Sequence, residues 1–212
     1  MLAIAGGKGG CGKTTTALGL AGALGRTGDR PLVVDADCDM PNLHTMAETD
    51  RGPGVGAVDD GDSITVASHR SSVVPGAEVI PAGSASGPIG RTALRRLARS
   101  RRTVILDCPA GATDAAAAPL RHATDAVVVS TPDPASRSDA VKTAQMAESL
   151  GTRVLGSVFT RSDTGTPVPS GTAPELEPVL ATVPEIDGDV LDSRLGRTSY
   201  DRLAKTCSRR NV

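Results

Sequence analysis

The chain has 212 residues and a formal net charge of −1, long enough for a substantial core and without a global charge that would draw it to nucleic acid or an acidic surface. With one Phe, one Tyr and no Trp, it offers no platform on which the bases of a single strand could stack. The core must be built from Val, Ile, Leu and Ala, which suits parallel strands covered on both faces.

Residues 2–5 form a short apolar run that reads as a strand, followed by a glycine-rich segment and a stretch of helical composition over 13–26. A second strand is expected at 31–35. Residues 51–63, rich in Gly and Asp, read as a loop. Further strands are expected at 78–81, 103–107, 126–131, 153–160 and 180–183. Helices are expected at 92–100, 113–122, 137–150 and about 189–205, and residues 163–178 read as a second loop. Several strand runs are continuously apolar rather than alternating, as in strands buried on both faces. The alternation of strand and helix predicts an α/β fold spanning 1–212 as one domain. It is a doubly wound, mostly parallel sheet with helices on both faces. Ligands of such sheets bind at the carboxyl edge of the strands, where the chemically loaded residues fall.

Residues 6–15 read GGKGGCGKTT. From Gly7 to Thr14 they match G-x-x-x-x-G-K-[ST] between a predicted strand and a predicted helix, the pattern of a P-loop. Gly7, Gly9, Gly10 and Gly12 let backbone N–H groups, with those of Cys11 and Thr15, turn inward around phosphate oxygens. The helix N-terminus adds its positive end. Lys13 is placed to meet the β- and γ-phosphates, and the Thr14 hydroxyl to join the shell of a Mg²⁺ ion.

Carboxylates end two later strands. Residues 33–43 read VVDADCDMPNL, with Asp35, Asp37 and Asp39, and residues 103–111 read TVILDCPAG, with Asp107. A carboxylate near a γ-phosphate can accept a hydrogen bond from water and hold it in line. An acid ending an apolar strand is the form in which P-loop proteins hold Mg²⁺.

The early lysine, Lys8, makes GGKGGCGKTT resemble the deviant phosphate loop of the MinD/ParA class, the signature-lysine (SIMIBI-class) P-loop ATPases. Residues 127–140 resemble MinD-type sequences in particular. The resemblance implies ATP and Mg²⁺ as ligands and a Lys8 that reaches across a two-fold interface to the nucleotide of a partner copy. It also implies that Asp37 orients the attacking water and that Asp35 supports the Mg²⁺ or water network. Asn42 falls at a nucleotide-responsive switch, and the Gly111 N–H is placed to sense the γ-phosphate. On the base side the family often carries Asn followed by Arg. Here Phe159-Thr160-Arg161 stands in that place without the Asn, while Pro184-Glu185 resembles the family's next adenine-side element, which leaves Arg161 and Pro184 as base-side residues.

The implied activity is slow ATP hydrolysis by a switch that forms a homodimer with ATP and is completed by an activating or cargo protein. The switch would position a division, motility or appendage complex, or DNA. Ligases that phosphorylate a carboxylate and metallocluster carriers share the fold. Cys11, Cys38 and Cys108 lie beside the motifs, but no CxxC pair occurs and no suitable second cysteine follows Cys108. No leader is expected ahead of Met1, and no apolar run approaches the roughly 20 residues of a membrane helix. The expected location is therefore the cytoplasm, with at most peripheral membrane contact. Toward the end of the chain only Tyr200 and Leu203 are sizeable apolar groups before Val212. That tail is expected to be a solvated helix, basic enough only for weak attraction to anionic lipid or DNA.

Overall fold

Eight strands join in one sheet in the order β3-β4-β2-β5-β1-β6-β7-β8. In the computed structural model, which describes residues 1–84, 87–163 and 173–209, the elements run β1 (Leu2–Gly6), α1 (Lys13–Arg26), β2 (Leu32–Asp35), α2 (Leu43–Met46), α3 (Val55–Asp60), α4 (Ile64–Ala67), β3 (His69–Arg70), β4 (Glu78–Ile80), α5 (Arg91–Ala98), β5 (Val104–Ala110), α6 (Asp114–Leu120), β6 (Asp125–Ser130), α7 (Pro134–Ser149), β7 (Arg153–Ser162), β8 (Val179–Pro184) and α8 (Arg194–Arg209). Neighbouring strands are parallel throughout, except for the two-residue edge strand β3, which runs antiparallel to β4. The expected α/β sheet with helices on both faces is the fold observed.

The continuous apolar strands are explained by the two layers they face. Leu2 and Ile4 of β1 point into a core shared with α1, α2 and α8. Ala3 and Ala5 point into the opposite core, shared with α3, α5, α6 and part of α7. The helix α1 is buried along nearly its whole length, and its sequence of Leu, Ala and Gly carries no charge between Lys13 and Arg26. A helix apolar all round belongs between two layers, and α1 lies between the sheet and α8.

Two expectations are corrected. Residues 51–63 are not a plain loop, because α3 occupies Val55–Asp60 with Val55 and Val58 buried on its inner face. The abundance of Gly and Asp hides a valine pair at i, i+3, which is the helical signal. The tail is not a solvated helix either. Tyr200, Leu203, Ala204 and Cys207 of α8 are all buried at i, i+3, i+4 and i+7, one face of a helix. Small residues suffice on that face because α1 is small-sided where α8 crosses it. The loop expected at 163–178 lies largely outside the described residues, and its end, Pro174–Leu176, is one turn of 3₁₀ helix.

The crossing of α1 and α8 depends on Gly19. A Cβ there would overlap the ring of Tyr200, the largest fully buried side chain among the described residues. Gly19→Ala is therefore expected to destabilise the fold by about 1–3 kcal/mol through overpacking. Urea unfolding reads this directly, and a midpoint unchanged from wild type would show that the helices separate without cost.

Candidate functional site

The motifs meet because their strands are neighbours. In the order β2-β5-β1, Asp35 stands beside Asp107, and Asp107 beside Ile4, three residues before the glycine loop. The loop leaves β1 with Gly10 at φ +75° and Gly12 at φ +91°, left-handed conformations that favour glycine. Gly12 is also the N-cap of α1. A Cβ on Gly7 would overlap the Asp139 backbone, so α7 is seated against the start of the loop. Beside Gly9 and Gly10 a Cβ would meet nothing within 4 Å. The open side of the loop faces a cleft of about 270 Å³ lined by Gly10, Lys13, Thr14, Asp37, Asn42 and Asp107, among others.

The charges in this cleft are poorly satisfied by the protein itself. Lys13 is 8% exposed, and its ammonium makes one long hydrogen bond, to the Lys8 carbonyl at 3.5 Å. A nearly buried cation with so little compensation is costly unless an anion joins it. Asp107 is 2% exposed, and its Oδ1 has no hydrogen-bond partner. Burial pushes its carboxyl up to about 7, against the pull of the Thr14 hydroxyl beside it. Thr14 donates to Asn42 Oδ1 at 3.1 Å.

Among the described residues no group of three or more His, Cys, Asp or Glu side chains could hold a metal ion. Mg²⁺, however, takes few protein ligands and draws the rest from water and phosphate oxygens. The orphaned Asp107 oxygen and the Thr14 hydroxyl fit that mode, and the open glycine loop fits the phosphates.

Asp35 is fully buried, and both its oxygens are engaged. Oδ1 accepts from the Asp37 N–H at 3.1 Å and Oδ2 from the Leu43 N–H at 3.3 Å. Burial raises its carboxyl to about 6 in spite of these bonds. The side chain thus pins both ends of the 36–42 segment. Asp37 accepts from the Met40 N–H through Oδ1 at 3.1 Å, and its second oxygen has no hydrogen-bond partner among the described residues. Asp39 is exposed and does not line the cleft. Lys8 lies outside the cleft, 3.8 Å from Asp133 Oδ2, with both side chains more than half exposed. Such a pair is worth little and holds the lysine loosely. The Gly111 N–H donates to the Gly6 carbonyl at 3.3 Å.

Arg161 and Pro184 line a second cleft of about 250 Å³, which shares Gly12, Thr15 and Arg161 with the first. Phosphate loop and base-side residues therefore form one continuous groove at the carboxyl edge of the sheet. Cys11, Cys38 and Cys108 are all buried free thiols. Burial pushes all three up, Cys38 to about 11.

A family model for ParA, described as NUBPL iron-transfer P-loop NTPase, matches residues 1–164. The chain belongs to the ParA/MinD family of P-loop NTPases. An uncharacterized ATP-binding protein of Methanocaldococcus jannaschii is 33% identical over 171 residues, covering 76% of this chain and 63% of the relative. The septum site-determining protein MinD of Synechocystis is 28% identical over 149 residues, covering 66% of this chain and 56% of that one. The chain thus spans less than two thirds of the length of these relatives. The septum site-determining protein MinD of Pyrococcus horikoshii, solved with Mg-ADP, superimposes with a TM-score of 0.79 at 22% identity, over 99% of this chain and 96% of that one, a likeness of fold.

Within this ParA/MinD-family site, three residues escaped the reading of the sequence. Thr160 replaces the family's Asn, and its hydroxyl donates to the Cys11 carbonyl at 2.7 Å, tying β7 to the phosphate loop. Met40, 78% exposed, lines the phosphate cleft. Tyr200 walls the base-side cleft from α8. A polar residue at a strand end hints at Thr160; nothing local marks the other two.

Proposed function

We propose that the chain binds ATP with Mg²⁺, pairs with a second copy across the bound nucleotide, and hydrolyses it slowly as a cytoplasmic switch that positions a cellular complex. The observation that carries this is the pair of unmet charges at the loop: a nearly buried Lys13 ammonium and an orphaned Asp107 oxygen. Phosphate oxygens satisfy the ammonium, and a divalent cation bound to them satisfies the carboxylate.

The backbone N–H groups of Gly7, Gly9, Gly10, Cys11, Gly12 and Thr15 surround the phosphates, and Lys13 contacts the β- and γ-oxygens. Thr14 and Asp107 hold the ion, and Asp35 acts behind them by fixing the 36–42 segment. Bound there, Mg²⁺ supplies charge neutralisation at the phosphate oxygens. The free oxygen of Asp37 accepts a hydrogen bond from water and keeps it in line with the γ-phosphorus. Asn42 and Gly111 respond to the nucleotide through Thr14 and Gly6, and Arg161 and Pro184 flank the base.

Lys8 does not serve its own cleft. Loosely held by Asp133, it is free to reach a partner's phosphates, in the manner of a finger supplied in trans. Slow turnover follows from a site that one chain leaves incomplete, with an activating or cargo protein finishing it.

An iron-transfer role, named in the description of the family model, would call on thiolates. The three cysteines near the site are buried free thiols with no CxxC pair among them, so the switch reading is the better supported. Sedimentation with Mg²⁺ and ATPγS tests it. Wild type is expected to form dimers, and Lys8→Ala is expected to bind nucleotide as a monomer. Dimers of Lys8→Ala at the wild-type level would remove the lysine from the interface.

A further inference from the structure

The base-side cleft gathers two charged side chains and a phenol. Arg161 and Glu185 both line it and are exposed, and neither side chain has a hydrogen bond or ion pair to any described residue. Tyr200, only 1% exposed, lines the same cleft with its hydroxyl beside that of Thr16. The backbone spends energy to place the first of these. Arg161 has φ +50°, a left-handed conformation that costs a residue with a Cβ about 1–2 kcal/mol. It sits where the β7–β8 register shifts between Phe159 and Ser162, a bulge of the kind that re-aims side chains beside functional sites. The Glu185 N–H in turn donates to the Ser162 carbonyl at 3.2 Å, which holds the Glu185 backbone beside the end of β7.

From this arrangement we infer that the base is read by the Arg161 guanidinium and the Glu185 carboxylate, and that the site accepts guanine nucleotides alongside adenine nucleotides. The inference rests on the nucleotide site proposed above. Adenine presents N6–H₂ and N7 side by side, a donor and an acceptor, and one amide side chain matches both. Among the described residues no Asn or Gln lines this cleft, and residues 151–210 contain neither. Thr160 cannot substitute, because its one hydroxyl proton is committed to the Cys11 carbonyl. Guanine presents two acceptors, O6 and N7, on one edge and the donors N1–H and N2–H₂ on the next. A guanidinium fits the first edge and a carboxylate the second.

Calorimetric titration of the Mg²⁺-loaded protein with ATPγS and with GTPγS tests this. Wild type is expected to bind the two within about tenfold of each other. Glu185→Gln exchanges the paired acceptors for one acceptor and one donor. It is expected to lower the ratio of GTPγS to ATPγS affinity by about tenfold or more, with circular dichroism confirming the fold. ATPγS binding with GTPγS excluded would overturn the inference and leave the ATPase reading standing. Binding of both with a ratio unmoved in Glu185→Gln would overturn the role of the carboxylate. Binding of neither would overturn the nucleotide site itself, and this inference with it.

Discussion

Asp37→Asn is expected to slow hydrolysis of bound nucleotide by about 10²–10⁴-fold, the usual scale for removing a positioned proton acceptor. The structure singles out this substitution over alanine. Asp37 uses Oδ1 to accept from the Met40 N–H, and an asparagine keeps that acceptor, so the 36–42 segment holds its shape. What changes is the second oxygen of a residue that lines the cleft with Lys13, Thr14 and Asp107. There an anionic acceptor becomes an amide donor, which can neither take a proton from water nor orient it by the same lone pair. Nucleotide affinity and dimerisation are expected to survive. Single-turnover hydrolysis measures the effect, and a wild-type rate would strike Asp37 from the chemistry.

Asp107→Asn is expected to push stability and ligand binding in opposite directions. The wild-type carboxyl is raised from 3.8 to about 7 by burial. Between these values the unfolded chain ionises while the folded chain keeps its proton, so the ligand-free fold loses stability as pH rises through that window. Above it, the folded protein carries a buried charge with an unpartnered oxygen. Asparagine titrates in neither state. The ligand-free variant should thus match wild type near pH 4 and exceed it near pH 8, by on the order of 4 kcal/mol. In the same variant Mg²⁺ should no longer strengthen nucleotide binding, and a chelator should have no effect. Urea unfolding at the two pH values and nucleotide titration with and without chelator read the two arms. A variant no more stable than wild type at the higher pH would show that the site tolerates the charge unaided. Stability set aside for function is common where a site must await its ligand.

The central part of the site was legible because it is local. A glycine loop between a strand and a helix, and an acid at the end of an apolar run, are each patterns confined to one short stretch, and the parallel sheet aligns them without further instruction. What escaped depends on contacts between distant segments. The Thr160 hydroxyl meets the Cys11 carbonyl across 149 positions of sequence. Docking of α8 required knowing that Gly19 leaves room for Tyr200, a property of the partner helix rather than of the tail. The helix α3 was missed for a different reason: composition outvoted periodicity in a segment only six residues long. Asp35 was legible as a site residue, but its hydrogen bonds to the ends of the 36–42 segment appear only in three dimensions.

In the proposed switch, where the Gly111 N–H senses the γ-phosphate, its hydrogen bond to the Gly6 carbonyl would limit how sharply one chain can tell ATP from ADP. A γ-phosphate approaching that N–H does not add a bond; it exchanges one, and the gain is only the difference between them. A neutral amide–carbonyl bond contributes about 0.5–1.5 kcal/mol and one to an anion about 1.5–3 kcal/mol. The surplus is thus about 1 kcal/mol, a bias of only about fivefold between two conformations. A solitary protomer with ATP would spend a sizeable share of its time in the other state. Decisiveness would have to come from pairing, because two protomers closing together multiply their individual preferences.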